Sequence, residues 1–370
     1  MNRKRLVLKR GRIHWPRALA LALGFALILA LGVFAATSTT AFAPYNPSWD
    51  GTSEFRSELE DDPTAEPELI TDTIDYETAD PNQTVSFVIA PEESYDQTDA
   101  QRVSQFVDRG GTLVVLENFG TSGDQLLFGL GTEARVDGQL LRDERNHQRG
   151  PTMPTATNVT THSLTSGVDQ LSLNYASAVE PGNATVLVAT SEYAYLGNET
   201  TDLEDVDTLE SYPVATVEEI GDGQVVVVSD PSLVINAMID EPDNDAFVRG
   251  LYAGNDHVLI DVSKSDDVPP LIAALLTVRG SAFLQLLLGG LGVGIAAALW
   301  SQPGRSAVTR TQQRLSRTSL HHEREDATPS LTYSERIEFL RRHYPDWDDE
   351  RIERVATVFT HTQVEEEQNR

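Results

Sequence analysis

The chain has no cysteine among its 370 residues, which excludes disulfides, a thiolate nucleophile and any cysteine-ligated zinc or iron–sulfur site. Lysine is nearly missing as well. Lys4, Lys9 and Lys264 are the only three, so arginine supplies almost all of the 28 basic side chains. There is no GxSxG elbow, no phosphate-cradling GxxxxGK loop and no HExxH pair, and the eight histidines are scattered, with His321 and His322 adjacent in a basic stretch. These gaps remove the commonest signatures of hydrolases, nucleotide-binding proteins and zinc enzymes, so no metal and no cofactor is expected.

What the chain does have is acid. Its 57 acidic residues give a formal net charge of -29, a field that repels phosphate and makes nucleic acid an unsuitable partner. Extreme surface acidity with lysine depleted resembles the surfaces of proteins from salt-loving archaea, where carboxylates keep a hydrated surface and screening shortens the reach of their repulsion. A cation-concentrating surface is the alternative reading.

Two hydrophobic blocks stand near the ends. Residues 1–17 carry Arg3, Lys4, Arg5, Lys9, Arg10, Arg12 and Arg17 without an acid, and residues 18–36 are apolar throughout. Such a run is long enough to cross a hydrocarbon core of about 30 Å, and it exceeds the usual secretory h-region. A retained anchor is therefore favoured, with Ala41-Phe42-Ala43 keeping a cleaved signal open. The second block, from Pro270 to Trp300, is broken by Arg279 and Gly280, and residues 281–300 are uncharged. Arg305, Arg310, Arg314 and Arg317 follow it. By the positive-inside rule both termini are cytoplasmic and the middle region lies outside. Four sequons, at Asn82, Asn158, Asn183 and Asn198, all fall in that middle region, as glycosylation acceptors on an outer domain would.

The middle is organised around QRVSQFVDRGGTLVVLENFG, residues 101–120. Val103, Phe106 and Val107 share one helix face, Gly110-Gly111 stop the helix, and Leu113 to Leu116 form a strand covered on both sides. Asp96 or Thr98 suits the helix start. With the β-branched run Val85 to Ala90 upstream, this makes a βαβ unit and predicts an open, mostly parallel sheet of flavodoxin-like kind over residues 85–268. Residues 44–84 read as an acidic lead-in, though Ser53 to Leu59 fits a short helix. Downstream, a helix with Leu126, Leu127 and Phe128 suggests another βα repeat, Asp143 to Thr157 a long loop, and Thr185 to Ala189 a strand that Tyr193 to Leu196 continues. Gly221-Asp222-Gly223 marks a hairpin between Tyr212–Val217 and Gln224–Ser229. A helix through Leu233, Ile235 and Met238, a helix over Asp243 to Tyr252, and a last strand Val258 to Val262 complete the domain. In residues 301–370 a capping box, Thr332 to Glu335, opens one amphipathic helix and Asp348 starts another with Ile352, Val355, Val358 and Phe359, a hairpin suited to a protein partner.

In open α/β sheets ligands bind beyond the carboxyl ends of the strands. Those ends predict a candidate crevice of Glu92, Glu117, Asn118, Asp230, Ser232 and Asn236. Asp230 suits a general base or ligand carboxylate, and equally the cap of the helix that follows it.

The segments FVDRGGTLVVLENFG, VVVVSDPSLVINAMID and DNDAFVRGLY together resemble domain-of-unknown-function family 4350, a membrane-anchored α/β domain similar to class I glutamine amidotransferase-like folds. The resemblance implies no established reaction, and the missing cysteine departs from the nucleophile of true glutamine amidotransferases. It implies an auxiliary part of a membrane system working with MoxR-type ATPases. The expected function is thus a non-catalytic ligand- or partner-binding component of a cell envelope. The alternatives are an extracytoplasmic hydrolase of surface glycan or peptide using Asp230 and Glu117, and an accessory subunit of an ABC-type exporter.

Overall fold

The computed structural model describes residues 15–300, apart from 199, 202, 266 and 267, together with residues 332–357. The chain divides into two units, Met1–Gly280 and Ser281–Arg370. In the first, eight strands form one sheet: Glu66–Ile70 (β1), Thr84–Ile89 (β2), Thr112–Leu116 (β3), Asn158–Val159 (β4), Thr185–Ala189 (β5), Pro213–Ile220 (β6), Gly223–Val228 (β7) and His257–Asp261 (β8). Their order is β1-β8-β2-β3-β7-β6-β5-β4. The first five are mutually parallel, and β6, β5 and β4 add an antiparallel wing. The sheet is therefore mixed, and β8, last in sequence, is inserted between β1 and β2.

Strand alternation sorts the core into two layers. Val85, Phe87, Val114, Leu116, Val226, Val228, Val258 and Ile260 point to one face, where they pack on Ser53–Asp61 and Asn244–Tyr252. Val88, Leu113, Val115, Val225, Val227 and Leu259 point to the other, beneath Gln97–Asp108 and Ser122–Leu130. In chain order the helices are Trp15–Ala36 (α1), Ser53–Asp61 (α2), Gln97–Asp108 (α3), Ser122–Leu130 (α4), Asn244–Tyr252 (α5), Pro270–Gly280 (α6), Ala282–Trp300 (α7) and Tyr333–His343 (α8). Asp96 caps α3, its carboxylate accepting from Thr98 N (2.7 Å) and Asp99 N (2.9 Å).

Several elements differ from the sequence-based expectation. The lead-in folds onto the sheet: the short helix expected over Ser53 to Leu59 is present as α2, buried through Phe55 and Leu59, but the edge strand β1 is not expected from its sequence. No second βα repeat follows α4. Residues 135–180 instead make small antiparallel ladders, Arg135–Val136 with Val179–Glu180 and Thr155–Ala156 with Leu171–Ser172. Ala194–Gly197 does not continue β5 but pairs with Leu140–Asp143 in a separate two-stranded sheet. The helix expected through Leu233 to Met238 shrinks to the 3-10 turn Pro231–Val234.

The segment after α1 is also built in. Phe42 N donates to Asp50 O (2.7 Å), Thr52 N to Ala43 O (3.1 Å) and Thr52 Oγ1 to Phe42 O (2.9 Å). The Ala41–Ala43 triplet is thus part of a folded turn. Among the described residues α1 alone is long and apolar enough to cross a bilayer; α6 and α7, separated at Ser281, pass that test only taken together. In the second unit, Glu335 closes the capping box with Thr332 N (2.7 Å), α8 ends before Pro345, and Asp348 Oδ1 accepts from Arg351 N (2.7 Å) at the start of a helix over residues 349–357. The arginines from Arg305 to Arg317, and Val358 and Phe359, lie outside the described residues.

The α2–α5 seam makes stability depend on pH. Arg249 reaches Asp245 (2.6 Å), Glu58 (3.8 Å) and Asp62 (3.8 Å). Burial, then the charge of Asp245, pushes Glu58 up to about 7 from 4.5. A raised carboxylate contributes stability that is complete below pH 4.5 and is lost as pH rises through about 7. Wild type should therefore lose about 1 kcal/mol relative to Glu58→Gln between acid and mildly alkaline pH, a figure discounted for solvent screening at a part-exposed seam. Paired melting curves across that range check it, and a difference flat with pH would reject it.

Candidate carboxyl-edge site

The helix after β3 packs on one face of the sheet and the helix after β7 on the other, so the crevice of an open α/β sheet should fall between these two neighbouring strands. Glu117 and Asn118 leave β3 there, and Ser229 and Asp230 leave β7. The chain fills the gap with its own residues 173–177. Asn174 N donates to Asp230 Oδ2 (2.7 Å), Ser232 Oγ donates to Asn174 O (2.9 Å), and Asn118 Nδ2 donates to Tyr175 O (3.1 Å). Ser177 N reaches Ser229 O (2.9 Å) and Ser229 Oγ reaches Ser177 O (2.7 Å). Asn118, Asp230 and Ser232 thus converge on one segment, and Tyr175 at its crest has φ 54° with an exposed ring.

Both central carboxylates are engaged by the fold. Asp230 is fully buried and also accepts from Ser232 N (2.8 Å) and the Ser232 hydroxyl, so it caps the 3-10 turn. Burial raises it to about 6 against the pull of those hydrogen bonds. Glu117 accepts from Asn118 N (3.0 Å), Gly120 N (3.0 Å) and Gly123 N (3.3 Å), binding the β3–α4 turn. Burial outweighs these three donors and its pKa is raised. Asn236 is drawn to the segment after α1: its amide nitrogen donates to Ser48 O (2.5 Å) and Asn46 O (3.1 Å), and its oxygen accepts from Glu54 N (2.8 Å). Glu92 is exposed, and its backbone N–H donates to Lys264 O (3.0 Å).

A second cluster, which motif reading misses, lies at the ends of β2 and β8. Lys264 Nζ donates to Asp99 Oδ2 (2.5 Å), and Thr73 Oγ1 donates to Asp99 Oδ1 (2.5 Å). Burial alone would raise Asp99, but the hydrogen bonds from Lys264 and Thr73 and the Lys264 charge hold it below the usual range. Beside it the hydroxyls of Tyr76 (2.9 Å) and Tyr95 (3.0 Å) both donate to Asp261 Oδ2. Burial raises Asp261 despite these donors and Ser263 N. The available signal was compositional: Lys264 is the one lysine between the two hydrophobic blocks. Among the described residues no group of three or more His, Asp or Glu side chains is placed to hold a metal ion.

These features define a mixed α/β domain, layered by helices on both faces, whose carboxyl-edge crevice is filled by its own chain. The protein belongs to the family described as Domain of unknown function (DUF4350), which matches residues 44–252. No curated protein matches the sequence. Among solved structures the chain is similar to the mmIFT52 N-terminal domain, at 13% identity over 55% of this chain and 91% of that one, with TM-score 0.43. It is also similar to a ThuA-like protein from Bacteroides uniformis, at 14% identity over 51% and 79%, TM-score 0.32. A third similarity is to a β-galactosidase from the Antarctic haloarchaeon Halorubrum lacusprofundi, at 15% identity over 46% of this chain and 22% of that one, TM-score 0.29.

Proposed function

We propose that this protein is a membrane-anchored, non-catalytic component of a cell-envelope assembly in a salt-loving archaeon, with a flavodoxin-like, glutamine amidotransferase-like domain outside and both termini in the cytoplasm. The observation that carries this reading is the filled crevice. Asp230 and Glu117, the two carboxylates a hydrolase would need there, are each spent on backbone N–H groups of their own fold. A general base must reach the proton of a bound substrate or water, and neither is disposed to do so. The outer surface is then left for recognition, and the capped helix α8 with residues 349–357 supplies a short cytoplasmic module. Helices this small bury little alone, which suits docking on a partner such as a MoxR-type ATPase. Capture of the full chain from native membranes at native salt should recover that ATPase, and removal of residues 332–357 should lose it. Recovery of the chain with no ATPase would reject the assembly role.

A further inference from the structure

The four sequon asparagines, Asn82, Asn158, Asn183 and Asn198, are all exposed, yet they present different chemistry. Thr84, the hydroxyl residue of the first, is 1% exposed, opens the central strand β2 and spends its Oγ1 on Asp80 O (2.7 Å). Asn158 is held in β4 opposite Ala189. At the fourth, Thr200 addresses Asn198 directly. Thr200 donates to Asn198 Oδ1 through its backbone N–H (2.9 Å) and through its hydroxyl (2.7 Å). The backbone is pinned as well, with Asn198 N donating to Thr201 Oγ1 (3.0 Å) and Asn198 O accepting from Arg142 Nη2 (2.9 Å). Asn198 Nδ2 has no protein partner among the described residues.

An amide nitrogen is a poor nucleophile because its lone pair is shared with the carbonyl. Two hydrogen bonds onto Oδ1 draw charge to the oxygen and acidify the N–H, while the pinned backbone fixes the amide without occupying its donors. We infer that Asn198 is an N-glycosylation site, occupied in preference to Asn82. In the transfer the Nδ2–C1 bond forms as the bond from C1 to the oxygen of a lipid-linked phosphate or diphosphate donor breaks. The leaving phosphate keeps the bonding pair, and the Nδ2 proton passes to a base on the transferase. The glycan would stand at the head of the acidic stretch 202–210.

This inference rests on the outer placement of the domain, and the two are separable. The full chain is isolated from native membranes as wild type, Asn198→Gln, Thr200→Ser and Thr200→Ala, and the peptides bearing Asn198 and Asn82 are weighed. Intact cells are treated in parallel with external protease. The wild-type and Thr200→Ser peptides should carry one glycan mass at Asn198, both other variants should lose it, and the Asn82 peptide should be bare. A bare Asn198 peptide from a domain that external protease removes overturns the site and spares the topology. A domain that resists protease in intact cells overturns the topology and the site together. Asn82 modified as fully as Asn198 overturns the role given to the Thr200 hydroxyl.

Discussion

Gly223→Ala should lower stability by about 2–3 kcal/mol, read as a fall of roughly 5–10 °C in Tm for a domain of this size. A Cβ at Gly223 would sit 2.3 Å from both Gly111 O and Val107 O. These are backbone atoms, and they are not free to yield. Val107 O accepts from Gly110 N (2.9 Å), and Gly111 O accepts from Gln224 N (3.2 Å). The added methyl therefore pushes α3 and the β6–β7 hairpin apart where Asp222 N also donates to Asp108 O (3.1 Å). Gly131→Ala is the control. It has a positive φ, of 80°, which Gly223 lacks, and nothing lies within 4 Å of its Cβ position, so its cost is the left-handed backbone alone, about 1–2 kcal/mol. Equal losses for the two variants would show that the close approach at Gly223 carries no weight.

That contact also shows what sequence could and could not disclose. Gly110-Gly111 was legible as a helix stop and Gly221-Asp222-Gly223 as a hairpin turn, each from local chemistry. That the two motifs pack on each other is a long-range fact that no local period encodes. The same division runs through the molecule. β2, α3 and β3 were readable because each carries an unbroken apolar run or a clear helical face. β1 was not, because an edge strand with Pro67 and alternating half-exposed positions has the composition of a lead-in. The two-residue ladders between α4 and β5 fall below the length at which alternation means anything. At the candidate site, the residues at the strand ends follow from topology, but no local pattern encodes that residues 173–177 occupy the space between them. Such a plug is polar and irregular, and its partners lie more than 50 residues away in sequence.

Glu117→Ala should cost about 3 kcal/mol or more, because it strips three backbone N–H groups of their common acceptor in a buried place. Glu117 is 2% exposed. Thr121 makes no side-chain cap for α4, so the carboxylate reaching Gly123 N supplies that cap from the strand before it. Gly120 and Gly123 fit the arrangement, since a Cβ on either would come within 2.6 Å and 3.2 Å of the Glu117 side chain. Glu117→Gln should cost less, about 1–2 kcal/mol: the amide keeps one oxygen but turns an NH₂ toward a backbone N–H. The pH dependence separates this structural role from a catalytic one. Burial raises the Glu117 pKa above its ordinary 4.5, so its titration adds stability that is complete below that value and is lost as pH rises through the native pKa. The gap between wild type and Glu117→Gln should therefore be widest in acid and narrow toward neutrality, in melting curves of the full chain. A gap that widens with pH, or an alanine variant that melts with wild type, would mean that the β3–α4 turn does not depend on this carboxylate. Glu117 would then be free for the crevice chemistry that its three hydrogen bonds now argue against.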